Sequence, residues 1–385
     1  MKAANWLRTA GLAGALFVYL TAEMFPIGVL TDVASDLHVA DSEAGRLLTV
    51  YALVAGAAIL PSVGLTRRLD RRIVLVGALV VLAVSQAALA CASNLPTALA
   101  ARAIAALPHG LLWSTVPIVA VSLASEDRQG RATAQVFLGG SAALVGGAPL
   151  MTGLAAGIGW RPAAGVLAAV ALAFAVLLWA ILPASSPDAG TAEATLRESS
   201  WLSRIVSVCV LTVVVVTASY VPYTFFSVIA QPYGFRSWSL AGLQMTFGVA
   251  GLLAVALIGR VVDRSPDVAL MLTVGGLVVA FSVVALEPAL PVFVIGVILW
   301  GAALACVAPA MQTAALRGGP GTRVLASALY VLAFQIGISA GSMLGGAVHD
   351  GAGARWLPLC ALVGLVPVAA VLAAQRLRRT KLDHR

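Results

Sequence analysis

Thr21-Ala22-Glu23-Met24-Phe25-Pro26 returns 196 residues later (217 − 21) as Thr217-Ala218-Ser219-Tyr220-Val221-Pro222. The same offset carries Leu65-Thr66-Arg67-Arg68 onto Val261-Val262-Asp263-Arg264, and Trp160 onto Trp356. One hydrophobic module is therefore written twice. The copies part where charge is concerned: Glu23 aligns with Ser219, Arg102 with Ile298 and His109 with Ala305. Charges needed only to pack the module would be wanted in both copies.

The composition excludes a water-facing globule. Of 385 residues, 61% are hydrophobic and 10% charged, with a mean hydropathy of +0.99. That much apolar surface cannot be hidden in a soluble core. Apolar runs of bilayer-spanning length recur throughout. Twelve spans are expected, at about 8–31, 44–66, 73–93, 96–124, 132–157, 162–183, 201–228, 240–262, 268–286, 290–316, 323–349 and 355–377. The fold class is thus an all-α membrane protein of two pseudo-symmetric six-helix bundles around a central cavity. The bundles are expected at 1–183 and 201–385. Between them the Ala/Ser/Pro-rich stretch 184–200 reads as a cytoplasmic linker.

Lysine and arginine placement sets the orientation. With the N-terminus inside, nineteen of them fall in inner segments and Arg46, Arg161, Arg236 and Arg355 in outer ones, with Arg102 inside a span. Both termini are expected in the cytoplasm. The net charge of +8 is then a topology signal, and no nucleic-acid partner is expected, because the charges sit in short loops without an aromatic-basic module. Lys2 and Arg8 before an apolar stretch resemble a secretory signal, but Glu23 and eleven further spans indicate a retained first helix. Cys91, Cys209, Cys306 and Cys360 lie singly and read as small packing residues.

Glu23 is the sharpest single feature. An acid inside a span costs roughly 2.5–3.5 kcal/mol on insertion scales and ordinarily faces a cavity or a partner. Glu23 lies about 12 Å, and Arg102 about 9 Å, from the outer ends of the first and fourth spans. Their matched depth suggests contact. Desolvation disfavours an ionised acid and a neighbouring arginine favours it, so making and breaking that contact would bind and expel a proton. A static ion pair locking two helices is the plainer alternative. His109, seven residues after Arg102, projects from nearly the same face and suits a proton relay. Pro108 should loosen the helix beside it.

Two further patterns concern movement. Gly139, Gly140, Gly146, Gly147, Gly153 and Pro149 in the fifth span, echoed by glycines of the eleventh, suit sliding surfaces between the halves or ordinary close packing. Arg67, Arg68, Asp70, Arg71 and Arg72 join the second and third spans, and Gly259, Asp263 and Arg264 the eighth and ninth. Opposed charges there could latch neighbouring helix ends.

Gly259-x-Val261-x-Asp263-Arg264 resembles the inner-loop signature of the major facilitator superfamily, and the resemblance extends over essentially the whole chain. The first-half counterpart departs from it, with Arg67 at the usual aspartate position. Arg102 resembles the helix-4 arginine of drug:proton antiporters, and Gly139–Gly153 with Pro149 their helix-5 motif. Thr21-Ala22-Glu23-Met24-Phe25 with Gly28-Val29-Leu30, and His109-Gly110 with Trp113, are similar to the branch of sugar-efflux, purine-efflux and chloramphenicol exporters.

The resemblance implies secondary active export of a small drug-, sugar- or nucleobase-like molecule by proton antiport and alternating access. A proton-independent facilitator, an importer or a non-transporting receptor on the same scaffold are the alternatives. It implies Glu23, Arg102 and His109 as proton-coupling residues. Substrate contacts would come from Tyr19, Trp113, Gln135, Tyr220, Tyr223, Gln312 and Gln335. The expected setting is a bacterial-type inner membrane and the expected state a monomer. Protons and a neutral or weakly charged substrate are the expected partners, with the proton gradient as energy source and neither cofactor nor metal. No catalytic triad, metal-spaced cluster or phosphate-cradling loop suggests an enzyme.

Overall fold

A computed structural model describes residues 2–66, 69–124, 129–184, 199–315 and 323–383. These are almost wholly helical, with no strand among the described residues. Twelve helices are long and apolar enough to cross a bilayer, from Trp6–Gly28 to Trp356–Ala374. The chain is a multi-pass membrane protein. It divides into two compact units, residues 1–191 with 236–241, and residues 192–235 with 242–385.

The first unit contains α1 (Lys2–Gly28), α2 (Leu30–Asp36), α3 (Asp41–Thr66) and α4 (Arg71–Ala90). Its fourth span is broken into α5 (Leu95–Ala106) and α6 (His109–Ser122). Its fifth comprises α7 (Gln129–Ala142), a π-helical segment Ala143–Gly147, and α8 (Ala148–Ile158), and its sixth is α9 (Trp160–Ile181).

Both breaks follow from proline. Pro26 has no N–H for the carbonyl of Ala22 four residues earlier, so α1 loosens and ends two residues on. Pro108 likewise sits at the joint of α5 and α6; the loosening read from the sequence is a complete interruption. At its other end α5 is pinned by a reciprocal cap, Asn94 Oδ1 accepting from the Thr97 N–H at 3.0 Å.

In the second unit, α10 (Ser199–Tyr223) is followed by α11 (Phe226–Ala230), α12 (Ser237–Arg264), α13 (Pro266–Ala285), α14 (Leu290–Ala315), α15 (Arg323–Ala352) and α16 (Trp356–Asp383). The sequence repeat is legible here. Val29 caps α2 and Phe225 caps α11, again 196 apart (225 − 29), each three residues after a proline. The fourth span is not matched in this way: Leu304 stands where Pro108 would be, and α14 runs unbroken.

The glycines of the fifth span pack inside their own unit. A Cβ at Gly139 would overlap the Ala13 carbonyl, and one at Gly147 would overlap the Thr21 hydroxyl. Gly337, Gly341 and Gly345 of α15 likewise leave no room for a Cβ against Val216, Thr217 and Val221 of α10. Small residues here bring α7 and the π segment onto α1, and α15 onto α10, by backbone approach. For those five glycines the close-packing reading holds, each against a helix of its own unit. Gly146 has open space where a side chain would go, and Gly140 faces Trp113. Pro149 and Gly153 are buried in α8.

The joining segments are tied down by polar side chains. Asp70 caps α4, accepting from the Arg72 N–H at 2.8 Å. The Arg72 guanidinium lies 4.0 Å over the Trp179 ring and donates to the Trp179 carbonyl. Arg8 donates to Ile181 O at 2.8 Å, so two cations serve the C-terminal end of α9. Asp36 of α2 accepts from Trp160 Nε1 at 3.0 Å and pairs with Arg161, which donates to Ala92 O at 2.9 Å. Arg67 and Arg68 lie outside the described residues. Gly259 and Asp263 fall in the last turns of α12, which ends at the exposed Arg264.

Candidate membrane-embedded polar site

The interruptions in α1 and in the fourth span free main-chain carbonyls, and the site is built on them. Arg102, fully buried two turns into α5, donates from Nη1 to Ala22 O at 2.8 Å and from Nη2 to Glu23 O at 2.9 Å. The Ala22 carbonyl is the one that Pro26 leaves without its helix donor. Nε of Arg102 reaches Leu47 O at 3.4 Å, and the guanidinium lies 4.5 Å from the centroid of the Tyr51 ring. At the second interruption, the Tyr19 hydroxyl donates to Ala105 O in the last turn of α5. A guanidinium and a phenol thus satisfy carbonyls that straight helices would have used internally.

This alters the expected pairing of Glu23 with Arg102. The two residues do meet, but through the backbone of Glu23. The guanidinium fork takes the Ala22 carbonyl that Pro26 leaves without its helix donor and, beside it, the carbonyl of Glu23. The Glu23 carboxylate, 3% exposed overall, stands beside His109 instead, Oε2 to Nδ1 3.5 Å. That separation is an ion-pair distance, longer than an ordinary hydrogen bond. His109 Nδ1 also lies 3.0 Å from the Tyr51 hydroxyl. The imidazole is therefore addressed by a carboxylate from α1 and a phenol from α3.

Aromatic rings enclose it. Tyr19, Tyr51 and Trp113 centroids lie 6.0, 5.8 and 6.2 Å from His109, and Trp113 stacks on Phe137. Five residues expected from the sequence (Tyr19, Glu23, Arg102, His109, Trp113) come together in the first unit. Tyr51 was not among them, yet it touches both the guanidinium and the imidazole. A signal for it exists in the repeat: Tyr51 aligns with Phe247 (247 − 51 = 196), a tyrosine hydroxyl present in one copy only.

The remaining expected contacts are dispersed. Gln135 is half-buried in α7, and Gln312 in α14; Gln335 of α15 is buried. Tyr220 and Tyr223 join a ring cluster of the second unit, with Phe226, Phe247 and Trp300. This cluster shares one module position with the polar site, that of Tyr51, and two more lie beside it in the repeat. Phe247 replaces Tyr51, Phe281 replaces Ser85 (whose hydroxyl donates to Ala101 O at 2.8 Å), and Trp300 replaces Ile104. The module has a polar centre in one copy and an aromatic centre in the other.

A family model described as Major Facilitator Superfamily matches residues 12–341. Two chloramphenicol efflux pumps, from two strains of Mycobacterium tuberculosis, are 39% identical to the chain over 369 residues, covering 93% of it and 89% of each pump. Among solved structures, the nucleoside transporter NupG is similar with a TM-score of 0.75 at 11% identity, over 97% of this chain and 99% of that one. A POT family transporter in complex with 5-aminolevulinic acid is similar with a TM-score of 0.77 at 10% identity, over 97% and 96%. At such identities the structural likeness concerns the fold alone.

Proposed function

The chain belongs to the Major Facilitator Superfamily, and from that premise we propose that it exports a small organic molecule across the cytoplasmic membrane in exchange for protons. The observation that carries the coupling is the buried Glu23 carboxylate at 3.5 Å from His109 Nδ1. A carboxylate and an imidazole so placed can share one proton, and both sit at helix interruptions, where a small backbone movement changes their separation. Export, rather than uptake, is supported by the 39% identical efflux pumps. A chloramphenicol-like compound is accordingly the first substrate to try.

In this reading Arg102 is a positioning residue. It fixes the backbone of Ala22 and Glu23, and with it the origin of the carboxylate, whatever the carboxylate's charge. Tyr51 serves His109 in either protonation state, because its hydroxyl can donate to a bare Nδ1 or accept from a protonated one. Uptake of the shared proton from outside would draw carboxylate and imidazole together, and its release inside would let them part, alternating the access of the substrate site. The orientation that this requires, both termini in the cytoplasm, is the one the basic residues favour.

The decisive experiment is growth inhibition in a host stripped of its own exporters, challenged with antibiotics, nucleobase analogues and toxic sugars. Protection by the wild-type chain, abolished by collapsing the proton gradient, is the expected result. Protection that survives the collapse would remove the proton gradient as the energy source. Tyr51→Phe, which keeps the ring over Arg102 and removes the hydroxyl, is expected to lower gradient-driven transport roughly fivefold, the worth of one net hydrogen bond of about 1 kcal/mol. Unchanged transport over a pH series in proteoliposomes would take Tyr51 out of the proton path.

A further inference from the structure

The ring cluster of the second unit has a sealed interior and an open edge. Phe281 and Trp300 are completely buried and Phe226 nearly so, whereas Tyr223 and Phe247 are half-buried. Trp300 stands edge-on to Phe281, Phe247 and Tyr223, with centroids 5.1, 5.7 and 6.2 Å away. Tyr223 and Phe247 stack on each other at 5.5 Å and 20°. Edge-to-face and offset-stacked contacts are the arrangements that ring quadrupoles favour. The scaffold is rigid because α12 and α14 touch there: a Cβ at Gly301 would overlap the Phe247 carbonyl. Two rings are thus held in place from behind, each with part of its surface uncovered.

That surface does not belong to the lipid-facing side of the helices. On α10 the exposed aliphatic stripe is Val206, Val210 and Val214. At 3.6 residues per turn, Tyr223 projects roughly opposite to it. Phe247 stands in the same relation to Met245 and Val249, the nearest exposed side chains of α12. A bilayer asks for nothing beyond the aliphatic stripes; rings turned the other way need another occupant.

The chemistry around the rings specifies that occupant. In the described spans of the second unit, Asp, Glu, Lys and Arg stand only at the span ends, as with Arg204, Asp267 and Asp350. The indole N–H of Trp300 is buried and has no hydrogen-bond acceptor among the described residues, so no polar group of the unit stands behind the rings. We infer that the half-buried faces of Tyr223 and Phe247, backed by Trp300, form a subsite for an uncharged aryl ring of the transported molecule. This deepens the export reading and rests on it for the presence of a small organic substrate. It also divides the labour of the repeat, protons on the polar centre and apolar recognition on the aromatic one.

The test uses the purified full-length chain in detergent and 4-nitrobenzyl alcohol, an uncharged nitroarene that quenches indole emission at short range, across one intervening ring as well as in contact. Saturable quenching is expected in the wild type, and most of the saturable part should disappear in Trp300→Phe. Phe247→Leu should raise the half-saturating concentration about threefold or more, as the loss of one ring-on-ring contact implies. Phe281→Leu, sealed behind Trp300, should leave it unchanged, and 4-nitrobenzoate, the same ring with a charge, should quench without saturating. Tyr223→Leu repeats the measurement should Phe247→Leu fail to fold. Linear, unsaturable quenching of the wild type overturns the subsite, as does an unaltered half-saturation in both leucine variants. The readout is binding, so ring-dependent saturation in a chain that protects no host would sink the export reading and leave the subsite standing.

Discussion

Glu23→Gln is expected to abolish gradient-driven transport, with a loss of about a hundredfold or more, while leaving the protein folded. Glutamine matches glutamate in shape and keeps an oxygen to face His109, but it cannot take up and release a proton at physiological pH. A loss of that size is the usual result when a positioned proton-transfer group is removed. Substrate counterflow without a pH gradient should persist in the variant, since the aromatic rings of the second unit are untouched. The comparison is made in proteoliposomes, with and without an imposed gradient. Gradient-driven accumulation by Glu23→Gln at the wild-type rate would remove the carboxylate from the coupling step. The carboxylate–imidazole contact would then be a structural one.

Arg102→Leu is expected to be the most damaging single substitution for stability. It leaves the carbonyl of Ala22 without its donor and takes the charge-assisted bond from Glu23 O, both fully enclosed. Hydrogen bonds to charged groups are worth about 1.5–3 kcal/mol each, so a loss of several kcal/mol follows, read as a sharp fall in the thermal midpoint of the detergent-solubilised chain. Arg102→Lys should recover only part, because a single ammonium cannot span the three carbonyls that the planar fork reaches. A second comparison separates this account from an ion pair with the carboxylate. If Arg102 mainly neutralised Glu23, then Glu23→Gln would rescue Arg102→Leu. With the carbonyls as acceptors, the double variant should be no more stable than Arg102→Leu alone.

Those carbonyls also mark where the sequence ceased to be a sufficient guide. Spans, repeat and the weak point at Pro108 were legible because each rests on local composition or on proline. The proximity of Glu23 and Arg102 was legible too, since depth follows from counting along a helix. Which atoms meet was not, because the acceptors belong to the main chain, and the one at Ala22 is free only because Pro26 lacks an N–H. Tyr51 escaped for a different reason. A tyrosine in an apolar span looks like any aromatic, and its hydroxyl acquires meaning only beside His109 and Arg102. The glycine rows were correctly read as points of close approach, yet the partner helix of each was a matter of packing within the unit. Comparing the two copies position by position would have exposed Tyr51 against Phe247, and with it the change from a polar to an aromatic centre.

The partners of Arg102 carry one more consequence, in the order of synthesis. Ala22, Glu23, Leu47 and Tyr51 all precede Arg102 in the chain, and the N-terminal part of a protein is made and folded first. When the fourth span leaves the ribosome, every group that will receive its guanidinium is already in the membrane. An arginine that would be costly to insert alone arrives at a prepared berth, and a circular permutant that synthesised the fourth span before the first would have to insert it without one.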